Sequence, residues 1–119
     1  MTTYELPWPP SVNHYWIHMV RGKMVKVIVG KKGLEFREGV KYTVGTCEPM
    51  TERLAVQIDA YPPDRRKRDL DNMMKATLDA LEHAGVYEND GQIDELSIFR
   101  KEPTSGGKLV VTIREIKNV

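Results

Sequence analysis

The sequence contains one cysteine, Cys47, among 119 residues, so no disulfide can form within the chain. This favours a protein of the reducing cytoplasm and excludes the small secreted folds that depend on several disulfides. No apolar stretch approaches the roughly 20 residues that a membrane-spanning helix needs. Residues 1–6 also lack the basic and apolar regions of a secretory signal. We therefore expect a soluble cytoplasmic protein with no membrane partner.

Several catalytic motifs are missing as well. The chain has no glycine-rich phosphate loop, no nucleophile elbow and no cysteine–histidine pairing. His14 and His18 stand four residues apart, but no Glu or Cys accompanies them at the spacing of a zinc site. We interpret them as polar surface groups, and zinc is not indicated.

The net charge of +1 hides a strong segregation of charge along the chain. Residues 21–41 hold seven Lys or Arg against two Glu, whereas residues 77–99 hold six acidic residues and no Lys or Arg. Four consecutive cations, here called the basic run, stand at Arg65, Arg66, Lys67 and Arg68. A nuclease needs cations that hold phosphates and carboxylates that hold a metal, so a near-neutral total does not exclude a nucleic-acid partner.

Hydrophobic periodicity predicts an α/β fold. Alternating apolar residues indicate half-buried strands over 54–60 and 109–113. A further strand is predicted over 24–29, a weaker one over 93–101 and a short β-like stretch before Leu6. The clearest helix is predicted from Asp71 to Ala84, with Gly85 ending it, and a less regular helix over 31–47. The predicted order is β-β-α-β-α-β-β. A length of 119 residues fits a single small domain, residues 1–119, in which two main helices pack on a mixed β-sheet.

Asp69 and Asp71 flank the predicted start of the second helix. Inside a helix they would lie about 200° apart, so they could not converge on one ion. If residues 69–71 are extended, both aspartates face one side, Leu70 enters the core and Asp71 stands near the N-cap. An ionised pair there suits Mg²⁺, which prefers carboxylates and water. Lys75 follows Asp71 by four residues, so its ammonium is expected to reach a phosphate in front of the carboxylates.

Simpler interpretations compete with these. An Asp before an apolar helix is most often only a cap, and consecutive cations are more often a solvated loop. A calcium loop starting at Asp69 is excluded, because its sixth position would be Met74 rather than Gly and its twelfth Ala80 rather than Glu. Chemistry alone does not select a third carboxylate, because Asp90 precedes Gly91 in a pair typical of a turn. Its competitors are Glu88, Asp94 and Glu95.

Two segments resemble the signatures of the RusA family of Holliday junction resolvases. They are Leu6-Pro7-Trp8-Pro9-Pro10-Ser11-Val12-Asn13 and Arg68-Asp69-Leu70-Asp71-Asn72. The similarity continues through Lys75, Asp79-Ala80-Leu81, Ala84-Gly85, Asn89-Asp90-Gly91-Gln92 and Gly106-Gly107-Lys108. It therefore spans both ends of the chain and residues from about 54 onward.

Members of that family are homodimeric Mg²⁺-dependent endodeoxyribonucleases that bind four-way DNA junctions and make paired symmetric nicks. The resemblance implies catalytic roles for Asp69, Asp71, Asp90 and Lys75, with the three aspartates as metal ligands. The basic run is expected to hold the DNA backbone, and the resemblance puts Asn13 near the site. Two alternatives stay open from the residues alone: a metal-dependent nuclease for other branched DNA or RNA, and a non-catalytic DNA-binding module whose aspartates only cap a helix.

Overall fold

The structure is a computed structural model and describes residues 1–117. The chain begins with strand β1 (Thr2–Pro7), a short helix α1 (Val12–Tyr15) and two strands, β2 (Trp16–Arg21) and β3 (Met24–Val29). Helix α2 (Lys31–Val44) and strand β4 (Arg53–Tyr61) follow. Helix α3 (Asp71–His83) leads through a 3₁₀ turn (Asp90–Gln92) to strands β5 (Ile93–Arg100) and β6 (Lys108–Ile116).

The main sheet has four strands in the order β1-β6-β4-β5. Strand β4 pairs with β5 in parallel and with β6 antiparallel, and β6 also pairs antiparallel with β1. The predicted alternation holds in β4, where Leu54, Val56 and Ile58 are buried and Gln57 is exposed on the opposite face. The predicted fold class, a mixed sheet with α2 and α3 as its two main helices, is confirmed.

One hydrophobic core joins the sheet to the helices, because each element presents one apolar face to it. Helix α3 contributes Met73, Ala76, Ala80 and Leu81, which recur at helical spacing. Its other buried residue, Thr77, donates its hydroxyl to the Met73 carbonyl at 2.7 Å, so the polar group is satisfied inside the helix. The helix ends one residue earlier than predicted, and Gly85 follows with a φ of 84°.

Two elements near the amino terminus are missing from the sequence prediction. Helix α1 has only four residues, and β2 lies in a segment whose apolar residues do not alternate. Strands β2 and β3 pair only with each other, as a separate two-stranded sheet. Because five of the six β2 residues are exposed, no buried face imposes a period of two on the sequence of this strand.

The β2–β3 hairpin leaves many apolar side chains in solvent. Its exposed members are Ile17, Met19, Val20, Met24, Val25 and Val27. The radius of gyration is 15.0 Å, whereas a compact chain of this length would have about 13.5 Å. No helix within residues 1–117 is long and apolar enough to cross a membrane.

Candidate active site

The amino-terminal end of α3 carries Asp69 and Asp71. The helix begins at Asp71, as predicted, and Leu70 packs against the core. The expected extended backbone is wrong at Leu70, whose φ of −62° and ψ of −36° are helical. The Asn72 N–H donates to the Asp69 carbonyl at 3.3 Å, so a tight turn leads into the helix. The physical reason is that a helix start leaves four N–H groups without partners, and this turn satisfies one of them.

Both aspartates are exposed at this turn. Among the ion pairs of residues 1–117, none involves Asp69 or Asp71. Two exposed carboxylates at the positive end of a helix dipole form a donor set suited to a hard divalent cation. Within the described part of the chain, however, no three Asp, Glu, His or Cys side chains converge as a complete metal site.

Asp90 lies at the other end of α3. It opens the 3₁₀ turn, which Asn89 caps, and its N–H donates to Glu82 Oε1 at 2.8 Å. Asp71 and Glu82 are separated by about 16 Å along the helix axis at a rise of 1.5 Å per residue. A single glutamate side chain cannot span that length. One protomer therefore does not bring Asp90 together with Asp69 and Asp71.

Lys75 lies one turn after Asp71 on α3 and is exposed. Its ammonium stands over the indole ring of Trp16, with Nζ 4.8 Å from the ring centroid. Sequence reasoning missed this partner, because Trp16 precedes Lys75 by almost half the chain and belongs to the unpredicted strand β2.

The basic run lines two adjoining clefts at the start of α3. The smaller cleft has a volume of about 520 Å³ and includes Lys67, Arg68, Asp69 and Asn72. The larger cleft, of about 670 Å³, is lined by all four cations of the run. Because Lys67 and Arg68 line both clefts, a continuous cationic surface leads up to Asp69. This arrangement suits a phosphate backbone.

Asp64 directly precedes the basic run and contacts two of its arginines. Its Oδ1 accepts from Arg68 Nη1 at 2.8 Å and from the Arg66 N–H at 2.9 Å. The hydrogen bond from Arg68, followed by that from the Arg66 backbone, lowers the pKa of the Asp64 carboxyl below its ordinary value. Arg65 instead pairs with Glu102 at 3.6 Å, and both side chains are largely exposed. Arg65 thus has a different acidic partner from Arg66 and Arg68.

Three further residues of the cleft were not assigned a role from the sequence. Trp8 lines both clefts, and Arg100 and Lys101 line the larger one. Arg100 donates to the Arg68 carbonyl. The sequence places Arg100 at the end of a predicted strand, β5. The parallel pairing of β4 with β5 brings that end to the loop after β4, and the sequence does not predict this pairing.

Asn13 lies in α1 and is exposed. It follows Ser11, which lines the smaller cleft together with Asp69 and Asn72. The chain around Asn13 therefore runs beside the cleft, while a role for its side chain stays a prediction.

Comparison with known proteins identifies the family of this chain. The family model described as endodeoxyribonuclease RusA matches residues 7–114. A crossover junction endodeoxyribonuclease of Escherichia coli (strain K12) is 37% identical over 127 aligned positions, which cover 99% of each chain. A protein of the same name from Enterobacteria phage HK97 is 35% identical over 119 positions, covering 98% of this chain and 96% of the relative. The chain therefore belongs to the RusA family of endodeoxyribonucleases.

Proposed function

We propose that this protein is a Mg²⁺-dependent endonuclease that resolves four-way DNA junctions by paired symmetric nicks. The observation that carries the proposal is the start of α3, where exposed Asp69 lines a cleft together with Lys67 and Arg68 of the basic run, and exposed Asp71 stands two residues further along the chain. Family membership supports it, since the relatives are named crossover junction endodeoxyribonucleases. The family match over residues 7–114 and the shared core also support a single RusA-like domain over residues 1–119.

In this proposal Asp69 and Asp71 hold the divalent ion. Once bound, such an ion activates water and neutralises charge on the scissile phosphate. The basic run holds the DNA backbone across the two clefts, so the phosphate lies beside the carboxylates. Lys75 donates to a phosphate oxygen as negative charge develops there, since its position one turn after Asp71 keeps it beside the carboxylates.

We also propose a homodimer. Paired cuts on a symmetric junction need two sites, and a two-fold dimer supplies them with matching symmetry. The β2–β3 hairpin supports this, because an isolated two-stranded hairpin with apolar side chains in water is marginal in stability. A second subunit covering the hairpin would remove those side chains from solvent.

A cytoplasmic location suits the free thiol of Cys47.

The dimer would also complete the metal site. Asp90 lies beside Glu82, far from Asp71 on the same helix, whereas Mg²⁺ needs its ligand oxygens about 2.1 Å away. Two α3 helices that run antiparallel across a two-fold axis would bring Asp71 of one subunit to Asp90 of the partner subunit. We therefore assign Asp90 to the site of the opposite protomer.

The function is tested by nicking and gel-shift assays on a synthetic four-way junction and a linear duplex, with and without Mg²⁺. We expect wild-type protein to make symmetric Mg²⁺-dependent nicks in the junction. Asp71→Asn should bind the junction but lose at least about a hundredfold in cleavage, because a metal ligand supplies several kcal/mol of transition-state stabilisation. Binding without cleavage by either protein across several divalent ions would contradict the proposal and favour a DNA-binding module.

The composite site is tested by complementation between two inactive variants, Asp71→Asn and Asp90→Asn. In a mixed dimer, one site would combine both substitutions and the other would keep both native aspartates. We expect mixing under subunit exchange to restore nicking that neither variant has alone. If both aspartates act within one protomer, every site in the mixed dimer carries a substitution, and activity stays absent.

A further inference from the structure

Lys75 is held by an aromatic side chain from a distant part of the chain. Its Nζ lies 4.8 Å from the centroid of the Trp16 indole, inside the range of a cation–π interaction. Trp16 is the first residue of β2 and is half-buried. The contact therefore joins the base of the β2–β3 hairpin to the surface of α3.

The neighbouring residue, Tyr15, anchors the same segment to the next turn of α3. The Tyr15 hydroxyl donates to Asp79, four residues after Lys75. Arg37 on α2 donates to both groups, from Nε to the Tyr15 hydroxyl at 3.0 Å and from Nη2 to the Asp79 carboxylate at 2.8 Å. Adjacent aromatic residues thus contact two successive turns of α3, and Arg37 braces the second contact.

The backbone of this segment has little room to move. The Gly30 N–H donates to the Tyr15 carbonyl at 2.7 Å. A methyl group on Gly33 would lie 2.6 Å from the same carbonyl oxygen. The Tyr15 and Trp16 rings also contact each other, with centroids 4.1 Å apart. The backbone next to Trp16 is therefore held against the start of α2, and the Trp16 indole that faces Lys75 contacts the Tyr15 ring.

We propose that Trp16 is a positioning residue that holds the Lys75 ammonium in place for the scissile phosphate. This rests on the proposed function, in which Lys75 stabilises developing negative charge. Without such a contact, a lysine side chain loses considerable rotamer freedom when it is ordered beside a phosphate. The indole restrains the ammonium without neutralising it, as a carboxylate would, and the ammonium keeps N–H donors for a phosphate oxygen.

The kinetic test compares Trp16→Leu with Trp16→Phe, which keeps an aromatic face, and with Tyr42→Leu, an exposed aromatic on α2 outside the hairpin and both clefts. We expect Trp16→Leu to lower kcat about five- to thirty-fold, the range of a cation–π contact between exposed and desolvated settings, with little change in KM. Trp16→Phe should retain most of the rate, and Tyr42→Leu should match wild type. A rise in KM at unchanged kcat would overturn the proposal, because it would make Trp16 a DNA contact.

A double-mutant cycle with Lys75→Met separates positioning from a general structural effect. If Trp16 acts through Lys75, Trp16→Leu should cause no further loss in the Lys75→Met protein. An equal loss in both backgrounds would overturn the proposal.

A second readout needs no catalysis. Reductive ¹³C-methylation labels the lysine amines, and the Lys75 signal is identified by its loss in Lys75→Arg. The indole ring current should shift this signal in wild type, and Trp16→Leu should return it to the position of an exposed lysine. Identical signals in the two proteins would overturn the proposal. Failure of wild type to nick any junction would count against the proposed function, and this spectrum would still decide the Trp16–Lys75 contact.

Discussion

The Arg68 guanidinium lies over the indole ring of Trp8, with Cζ 5.8 Å from the ring centroid. The same guanidinium donates to Asp64 at 2.8 Å. Arg68 is therefore held on two sides at the edge of the cleft, and 24% of its side chain is exposed. Lys67, its neighbour, is exposed at the same cleft. The two cations should thus respond differently to substitution.

Lys67→Ala is expected to weaken binding to junction and linear duplex by similar factors. A lysine that contacts only phosphate carries no sequence information, and its loss should reduce the log–log salt slope by about 0.9. Fluorescence anisotropy over a salt series measures this slope, with Lys41→Ala on α2 as the matched control outside both clefts. An unchanged slope would remove Lys67 from the DNA contacts.

Arg68→Lys should weaken binding although it keeps the charge. Lysine lacks the planar fork that meets Asp64 and the flat face that covers Trp8, so the loop of the basic run should lose order. We expect a loss of about 1 kcal/mol in junction affinity relative to wild type, the size of a single charge-assisted contact. Affinity equal to wild type would mean that only the charge of Arg68 matters.

Gly33→Ala should destabilise the fold even though alanine favours helices. The new methyl group would meet the Tyr15 carbonyl at 2.6 Å and Val29 Cγ1 at 2.7 Å, so α2 would have to move away from the base of the hairpin. We expect the free energy of unfolding to fall by about 1–3 kcal/mol, the cost of overpacking. Urea titration measures it, with Glu35→Ala on an exposed position of the same helix as control. Equal or greater stability would show that the contact relaxes freely.

Tyr87 should make stability fall in alkaline solution. Its side chain is 1% exposed and its hydroxyl donates to the Leu78 carbonyl. Burial, followed by the Asp90 and Glu82 carboxylates, raises its pKa above the ordinary value of 10.0. A raised pKa means that the native state holds the proton more tightly than the unfolded state. Its contribution to stability is therefore complete below about pH 10 and is lost as pH rises above that value.

Tyr87→Phe tests this dependence. The variant should lose about 1 kcal/mol near neutral pH, because the Leu78 carbonyl loses its donor. Above about pH 10 its free energy of unfolding should fall less steeply than that of wild type, so the two curves converge. Parallel curves from urea titrations across this range would contradict a raised Tyr87 pKa.

The hairpin should control assembly. Val20 and Val25 face each other across β2 and β3 and are 67% and 64% exposed. If a second subunit covers them, replacing both with serine should shift micromolar protein from dimer to monomer in sedimentation velocity and abolish paired nicking. Leu34→Ser on α2 is the control, since Leu34 is apolar and 52% exposed outside the hairpin. A dimer that survives the double substitution would place the interface elsewhere.

Sequence periodicity predicted the elements that meet the core on one face. Strands β4 and β6 alternate because one face of each is buried, and α3 repeats at helical spacing for the same reason. The hairpin strand β2 escaped prediction, since five of its six residues are exposed and no buried face imposes a period of two. The sequence therefore predicted the fold class and carried the family signatures where burial or chemistry imposes a local pattern.

The sequence by itself determined the chemistry available at the start of α3: paired aspartates, a lysine one turn later and the basic run before them. These residues all fall within eleven consecutive positions, from Arg65 to Lys75, so the chain itself keeps them close together. Only the tertiary structure decided that Trp16 covers Lys75, that Arg100 joins the cleft and that the Asp90 N–H donates to Glu82. These relationships depend on the parallel pairing of β4 with β5 and on the docking of the hairpin base against two helices. Such long-range contacts are set by the packing of whole elements, which leaves no local period in the sequence.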